Sequence, residues 1–307
     1  MRFHAYLPTY WDDYGSSSID AAITVAARAA SEFGYEGVWA NDVLVHSAGP
    51  SVSDATQQLI EPLVTLASLV HLVPGLTLGT AVVVLPVRDP ILVAKQATAL
   101  HVLSGGRCVL GVGIGHRASE FEVLGADFTQ RAAVTDEAIE VMQTLWREPM
   151  ASFHGRFHQF EAVSQAPRPP DGGPPIWIGG NTPPAIRRTA RCGSVLLACF
   201  SELEEFRSRV ALLRELTEGR DDPSIANMLY VRMERPDEPK TVRSTTPRLS
   251  ASAFTGNADA VAEHIERYAD AGLDDALIVF ESESVDDLLL QMQTFAEQVA
   301  PRFAGSV

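Results

Sequence analysis

Short apolar runs, each bounded by glycine, proline or polar turn residues, alternate along the chain with stretches whose apolar positions recur at helical spacing. The runs fall at Phe3–Leu7, Gly37–Ala40, Leu76–Val84, Cys108–Val112, Ile176–Ile178, Val195–Phe200, Met228–Met233 and Ala276–Phe280. They are continuous rather than alternating, the pattern of strands covered on both faces, as in a parallel sheet. Between them the spacing predicts helices. The first carries Ile19, Ile23, Ala26, Ala27 and Ala30 on one face and closes at Gly34. Pro62 and Pro90 are placed as first helical residues, Thr182 as an N-cap before Pro183, and Ser201 with Glu204 as a capping box for the helix that runs to Gly219. Further helices are expected over Arg131–Trp146, from Asn257 to Gly272 and over Val285–Phe303.

Three stretches break this rhythm. Residues 41–61 and 234–253 are long and irregular, and Phe153–Phe160 looks like a small hairpin before the fifth strand. Loops of such length in a compact domain are usually lids or binding loops. The tally of strands alternating with helices, without an internal repeat, predicts an α/β protein. A closed (β/α)8 TIM barrel is favoured over an open sheet, with one domain over residues 1–307. In such a barrel the functional residues sit at the carboxyl ends of the strands.

Two strand exits carry candidate chemistry. In the first, Gly111, Gly113 and Gly115 alternate with bulky residues before a new helix, so backbone N–H groups can approach an anion closely. Ala118 stands where a dinucleotide fingerprint would have its third glycine, so that motif is not matched. In the second, Gly179-Gly180-Asn181 precedes Thr182-Pro183, and the N–H groups of Gly180 and Asn181 are candidate phosphate donors. Arg187 and Arg191 share a face of the helix that follows.

Composition narrows the partners. A net charge of −15 argues against nucleic acid and against anionic membranes, which require a basic face. No apolar run reaches the roughly 18 residues of a membrane span. Met1–Tyr6 leads straight into a strand, so a cytoplasmic protein is expected. Cys108, Cys192 and Cys199 have neither disulfide nor zinc spacing and read as buried small hydrophobes. His154 and His158 are four apart, but Gly155 and the surrounding aromatics argue against a helical metal pair, and no metal site is expected.

The chain resembles the luciferase-like monooxygenase superfamily, and within it the branch of coenzyme F420-dependent oxidoreductases. The resemblance is carried by Leu78–Pro86 with Asp89-Pro90, by Leu103–Gly115 with Glu120-Phe121 and Leu124-Gly125, and by Pro175–Asn181. It implies a cofactor ring over the strand ends, bordered by Asp42 and by an Ala81–Val82 peptide that is cis. It also implies a phosphate held by Gly113, Ile114, Gly115 and His116 together with Gly179, Gly180 and Asn181. Arg131 corresponds approximately to an arginine that reaches the phosphate, or else is a structural partner of Asp136. Where relatives commonly have a histidine after Asp42, this chain has Val43. His46 and Asp42 are then the candidate catalytic acids, with His116 a further one.

The implied activity is hydride transfer between the deazaflavin coenzyme F420 and a C=C or C=N bond of a small organic substrate. The alternatives are an FMN-dependent monooxygenase using O2, served by a separate flavin reductase and covered by a lid over residues 41–61, and a non-catalytic flavin-binding relative. A homodimer is expected in each case.

Overall fold

A computed structural model describes residues 1–11, 18–45, 58–219, 223–234 and 254–304. Eight parallel strands form the barrel: β1 (Arg2–Tyr6), β2 (Gly37–Ala40), β3 (Thr77–Thr80), β4 (Cys108–Gly113), β5 (Ile176–Gly179), β6 (Val195–Cys199), β7 (Ser224–Met233) and β8 (Asp275–Phe280). Their order is β5-β6-β7-β8-β1-β2-β3-β4, and pairing of Ile176 with Leu110 through Ile178 with Val112 joins β4 to β5 and closes the cylinder. The helices are α1 (Ile19–Glu32), α2 (Pro62–Leu69), α3 (Pro90–Leu103), the short α4 (Ala118–Val123), α5 (Arg131–Arg147), α6 (Pro183–Cys192), α7 (Leu203–Thr217), α8 (Ala258–Ala269) and α9 (Val285–Gln298). The (β/α)8 barrel expected from the alternation is therefore the fold.

Some helix starts follow from local chemistry. Asp89 accepts hydrogen bonds from the N–H groups of Ile91 and Leu92 ahead of α3, Asn257 accepts from Ala260 ahead of α8, and Ser284 accepts from Asp287 ahead of α9. The capping box expected from Ser201 and Glu204 is absent. α7 begins one residue later than that motif requires, because the Ser201 hydroxyl turns to Asn181 Oδ1 (3.4 Å) and Glu204 pairs with Arg207. Thr182 does occupy the N-cap of α6, but its hydroxyl caps nothing. The last helix stops at Gln298, and Pro301 lies in a separate 3-10 turn over Ala300–Phe303.

Two layers of packing hold the barrel. Val38, Leu78, Leu110, Ile178, Leu196 and Ile278 point outward to the helices. Trp39, Val109, Trp177, Leu197, Met228 and Leu277 fill the inside, where the rings of Trp39 and Trp177 lie 4.4 Å apart. Such burial is the main favourable term, roughly 25 cal/mol per Å² of apolar surface. The amino-terminal end of the barrel is closed by a buried ionic cluster. Asp275 accepts from Arg2 Nε and Nη2 (2.7 Å each) and from His4 Nε2 (2.9 Å). Burial alone would raise the Asp275 carboxyl, but the hydrogen bonds from His4 and Arg2 outweigh it and hold the group below its ordinary value.

The insertion before β5 is a hairpin, Ala151–His154 against Gln159–Val163. Its two histidines go to different carboxylates, His154 to Glu161 (2.7 Å) and His158 to Glu137 (3.0 Å).

Candidate functional site

The carboxyl ends of the strands enclose a cavity of about 600 Å³, within the range of small-molecule sites. The expected long strand over Leu76–Val84 is interrupted there. β3 ends at Thr80, the Ala81–Val82 peptide is cis, and pairing to β4 resumes at Val83–Val84. Ala81 and Val82 both line the cavity.

The glycines around this point have a reason that the sequence did not reveal. A Cβ on Gly113 would lie 2.6 Å from Val82 Cγ2, and one on Gly179 would lie 2.8 Å from Val82 Cγ1 and 3.2 Å from Cγ2. Both strands thus carry glycine where Val82 packs between them. The expected reason, close approach of a ligand to the backbone, does not account for these two positions. The N–H groups of Ile114, Gly115 and Asn181 have no acceptor among the described residues, and all three residues line the cavity. The Gly180 N–H does not join them, because it donates to the Leu197 carbonyl (3.1 Å). His116 and Arg117 line the same end.

The Asn181 side chain is a structural latch. Its Nδ2 donates to the Cys199 carbonyl (2.6 Å) and its Oδ1 accepts from the Cys199 N–H (2.9 Å), which ties the exit of β5 to the end of β6. Arg209 Nε donates to the Asn181 carbonyl (2.9 Å) and fixes the loop from behind. Burial pushes the Cys199 thiol up to about 11, so it is protonated at neutral pH.

Asp42 lies in the cavity wall, but its carboxylate is committed. Oδ1 accepts from Arg88 Nη2 (2.7 Å), and Oδ2 accepts from Arg88 Nε (3.0 Å) and from the Val84 N–H (2.9 Å). Arg88 also pairs with Glu61 at 3.1 Å. Burial opposes the Arg88 charge, but its bonds to Asp42 and Glu61 outweigh burial and raise its pKa. In this geometry Asp42 anchors the Val83–Val84 segment, with both carboxylate oxygens engaged.

Of the other expected site residues, Ala81, Val82, Gly113, Ile114, Gly115, His116, Gly179, Gly180 and Asn181 all line the cavity. His46 lies outside the described residues. Arg131 is not brought to the cavity. Its guanidinium sits 3.8 Å over the Phe128 ring and donates to the Phe128 carbonyl (2.7 Å). Nor does it pair with Asp136, which is taken by Arg188 (2.7 Å) and Arg191 (2.5 Å). Of the expected basic face, Arg191 is thereby spent on α5, together with the buried Arg188, whereas Arg187 is exposed. Val43 lines the cavity in the place expected of histidine.

Among the lining residues not singled out from the sequence as site residues are Tyr230 on β7, Glu281 directly after β8, and Glu120, quoted only for the resemblance, whose Oε1 accepts the Leu44 N–H (2.8 Å). The barrel rule alone points to Glu281, since it is the first residue past a strand end.

A closed parallel barrel with one such cavity at its strand ends defines a (β/α)8-barrel enzyme. The chain belongs to the luciferase-like monooxygenase family, whose model matches residues 1–239. An uncharacterized protein of Mycobacterium tuberculosis is 27% identical over 294 residues, 89% of this chain and 92% of that protein. The F420-dependent glucose-6-phosphate dehydrogenase of Mycobacterium avium is 28% identical over 181 residues, 56% of this chain and 53% of that enzyme. Among solved structures, the monooxygenase RslO1 from Streptomyces bottropensis superposes with a TM-score of 0.84 at 22% identity, covering 99% of this chain and 100% of that one. Members of the family are monooxygenases or oxidoreductases, and this chain is an oxidoreductase of that kind.

Proposed function

We propose that the protein is a deazaflavin (coenzyme F420)-dependent oxidoreductase that moves a hydride to or from a small organic substrate. The observation that carries this reading is the donor set at one end of the cavity. Unpaired N–H groups of Ile114, Gly115 and Asn181 stand beside His116 and Arg117. Backbone donors with local positive charge suit a phosphate. Apolar residues elsewhere in the lining, among them Val43, Val82 and Met228, suit a flat ring. The residues present therefore fit a phosphate-bearing, planar cofactor. Similarity to the F420-dependent dehydrogenase of Mycobacterium avium supports the deazaflavin.

The deazaflavin, when bound, supplies or accepts the hydride. The N–H groups of Ile114, Gly115 and Asn181, with His116 and Arg117 beside them, would hold its phosphate. Ala81 and Val82 would border the ring, and Asp42, through Arg88 and the Val84 N–H, holds the segment that carries them. The apolar walls exclude water, so that the task of the chain is to position donor and acceptor. His46, in the first long loop, is the proposed proton donor.

Titration of the purified protein with F420 and with FMN, followed by absorbance, and oxygen uptake with the reduced form of each cofactor and a substrate panel, measured above the protein-free rate, test this reading. Tight binding of F420 with no oxygen uptake is expected. Binding of FMN alone, with oxygen consumed, would replace hydride transfer by monooxygenation. Binding without turnover of any substrate panel would make the chain a non-catalytic relative.

A further inference from the structure

The cavity has a second end, chemically unlike the first. At the ends of β6, β7 and β8 it is lined by Cys199, Phe200, Met228, Tyr230, Val279 and Glu281. Phe200 has φ +51°, the left-handed region, which is unusual for a bulky residue. Its N–H donates to the Met228 carbonyl (3.2 Å), and its ring stacks on Tyr230 with centroids 4.0 Å apart and planes within 10°. The side chain nevertheless remains 39% exposed. A large aromatic held in a costly conformation and left open is not placed for core packing, and outliers of this kind collect at ligand sites. Beside it, Glu281 is the one charged side chain lining this end among the described residues. Its carboxylate takes no hydrogen bond or ion pair there, because Arg232 and Gln291 donate to its backbone carbonyl instead (3.1 and 2.7 Å). Arg232 itself is buried and lies 3.8 Å from Asp287.

We propose that this end seats the second reactant, and that the reactant is a planar aromatic ring joined to a cationic nitrogen, an amine or an iminium. The proposal rests on the reading that the β4–β5 end holds the cofactor. The Phe200–Tyr230 stack offers a flat face for the ring, and stacking of this kind prefers aromatic partners. Glu281 offers the only charge, and a half-buried carboxylate favours a cation and repels an anion. Anionic substrates such as sugar phosphates are excluded from this end, which separates the chain from the sugar-phosphate enzyme it resembles in sequence.

Three probes with one ring isolate the two contributions: tryptamine (cation), 3-methylindole (neutral) and indole-3-acetate (anion). Binding to the full chain is measured by isothermal titration calorimetry, first without cofactor and then with FMN or F420 present. Ionic strength is held at 0.15 M, where the Debye length of about 8 Å screens the general attraction of an acidic protein for cations. Tryptamine is expected to bind at least tenfold more tightly than indole-3-acetate, and Glu281→Gln to abolish that preference while leaving 3-methylindole unchanged. Phe200→Gly, which accepts the left-handed backbone, is expected to weaken tryptamine and 3-methylindole at least fivefold. If that variant does not fold, Tyr230→Leu removes the stack from beneath and carries the same expectation. Equal binding of cation and anion, a preference that survives Glu281→Gln, or failure of all three probes would each overturn the proposal. The cofactor titrations are read separately. Probe discrimination without cofactor binding would remove the proposed function, and with it the role of second reactant, while keeping the ring-and-cation preference of this end; cofactor binding without discrimination would keep the proposed function and overturn this inference.

Discussion

If Gly113 is glycine because of Val82, then the cost of adding a methyl group there must vanish when Val82 is cut back. In Gly113→Ala the new Cβ meets Val82 Cγ2 at 2.6 Å, well inside any real carbon contact, and its next neighbour is Val82 Cβ at 3.8 Å. Gly113 has an ordinary backbone conformation, so alanine adds no torsional penalty of its own. Val82 also packs closely over Gly179, where an added Cβ would lie 2.8 and 3.2 Å from its γ-carbons, so it has little free space on that side to turn into. Overpacking of this kind costs about 1–3 kcal/mol. Val82→Ala removes two methyl groups from a half-buried side chain, a loss of about 1–1.5 kcal/mol at roughly 0.8 kcal/mol per buried carbon. In the double variant the closest contact becomes the ordinary one at 3.8 Å. Its stability should therefore exceed the sum of the single losses by about 1–2 kcal/mol. Urea unfolding of the four proteins, followed by tryptophan fluorescence and far-ultraviolet circular dichroism, measures this coupling. Additivity within about 0.5 kcal/mol, the behaviour of independent sites, would refute the reasoning and return Gly113 to the role of a ligand-approach residue.

Asp275→Asn should destabilise the fold by about 2–3 kcal/mol at pH 7, at the lower side for a broken buried pair because Arg2 is half exposed. The Asp275 carboxyl is held below its unfolded value, so its contribution is present above about pH 4 and is lost as pH falls through the folded value. Urea melts should show the gap between wild type and variant closing toward pH 3, and an unchanged gap would contradict the assignment. Arg88→Met strands the Asp42 carboxylate beside a single N–H donor, so a loss of about 3–5 kcal/mol is expected. Adding Asp42→Asn should recover part of it in thermal unfolding. Asn181→Ala leaves the Cys199 N–H and carbonyl without partners, at about 1–3 kcal/mol each. It should also weaken cofactor binding in a fluorescence titration, because the β5 exit loses its tie to β6.

The barrel was legible because its strands are covered on both faces and read as apolar runs cut by turn residues. The departures occur where a long-range partner overrides a local rule. Ser201 has the sequence of a cap, yet its hydroxyl reaches Asn181 and its carbonyl accepts the Tyr268 hydroxyl (2.9 Å), so α7 begins beyond it. The hairpin before β5 was visible in Gly155 and its flanking aromatics. What fixes it was not: the Glu137 carboxylate on α5 accepts the N–H groups of Arg156, Phe157 and His158 (2.7, 2.8 and 2.6 Å). Likewise Leu76–Val84 reads as one β-branched strand, since the break at Ala81–Val82 leaves no trace in periodicity and entered only through family resemblance.

At the site, position was easier to read than role. Asp42 and Glu281 have the same standing in the sequence, each a carboxylate just past a barrel strand. Their roles part because of a residue 46 positions further on: Arg88 engages both oxygens of Asp42 and, with the Val84 N–H, makes it an anchor. For Glu281 the nearby arginine takes the backbone carbonyl and leaves the carboxylate open to the cavity wall. A paired carboxylate holds structure in place, whereas an unpaired one at a ligand surface selects what binds, because its desolvation is offset only by a partner brought from outside. The replacement of the expected histidine by Val43 fits the same division. It removes a polar group from the anchored side of the cavity and leaves the charge on the β8 side to choose the substrate.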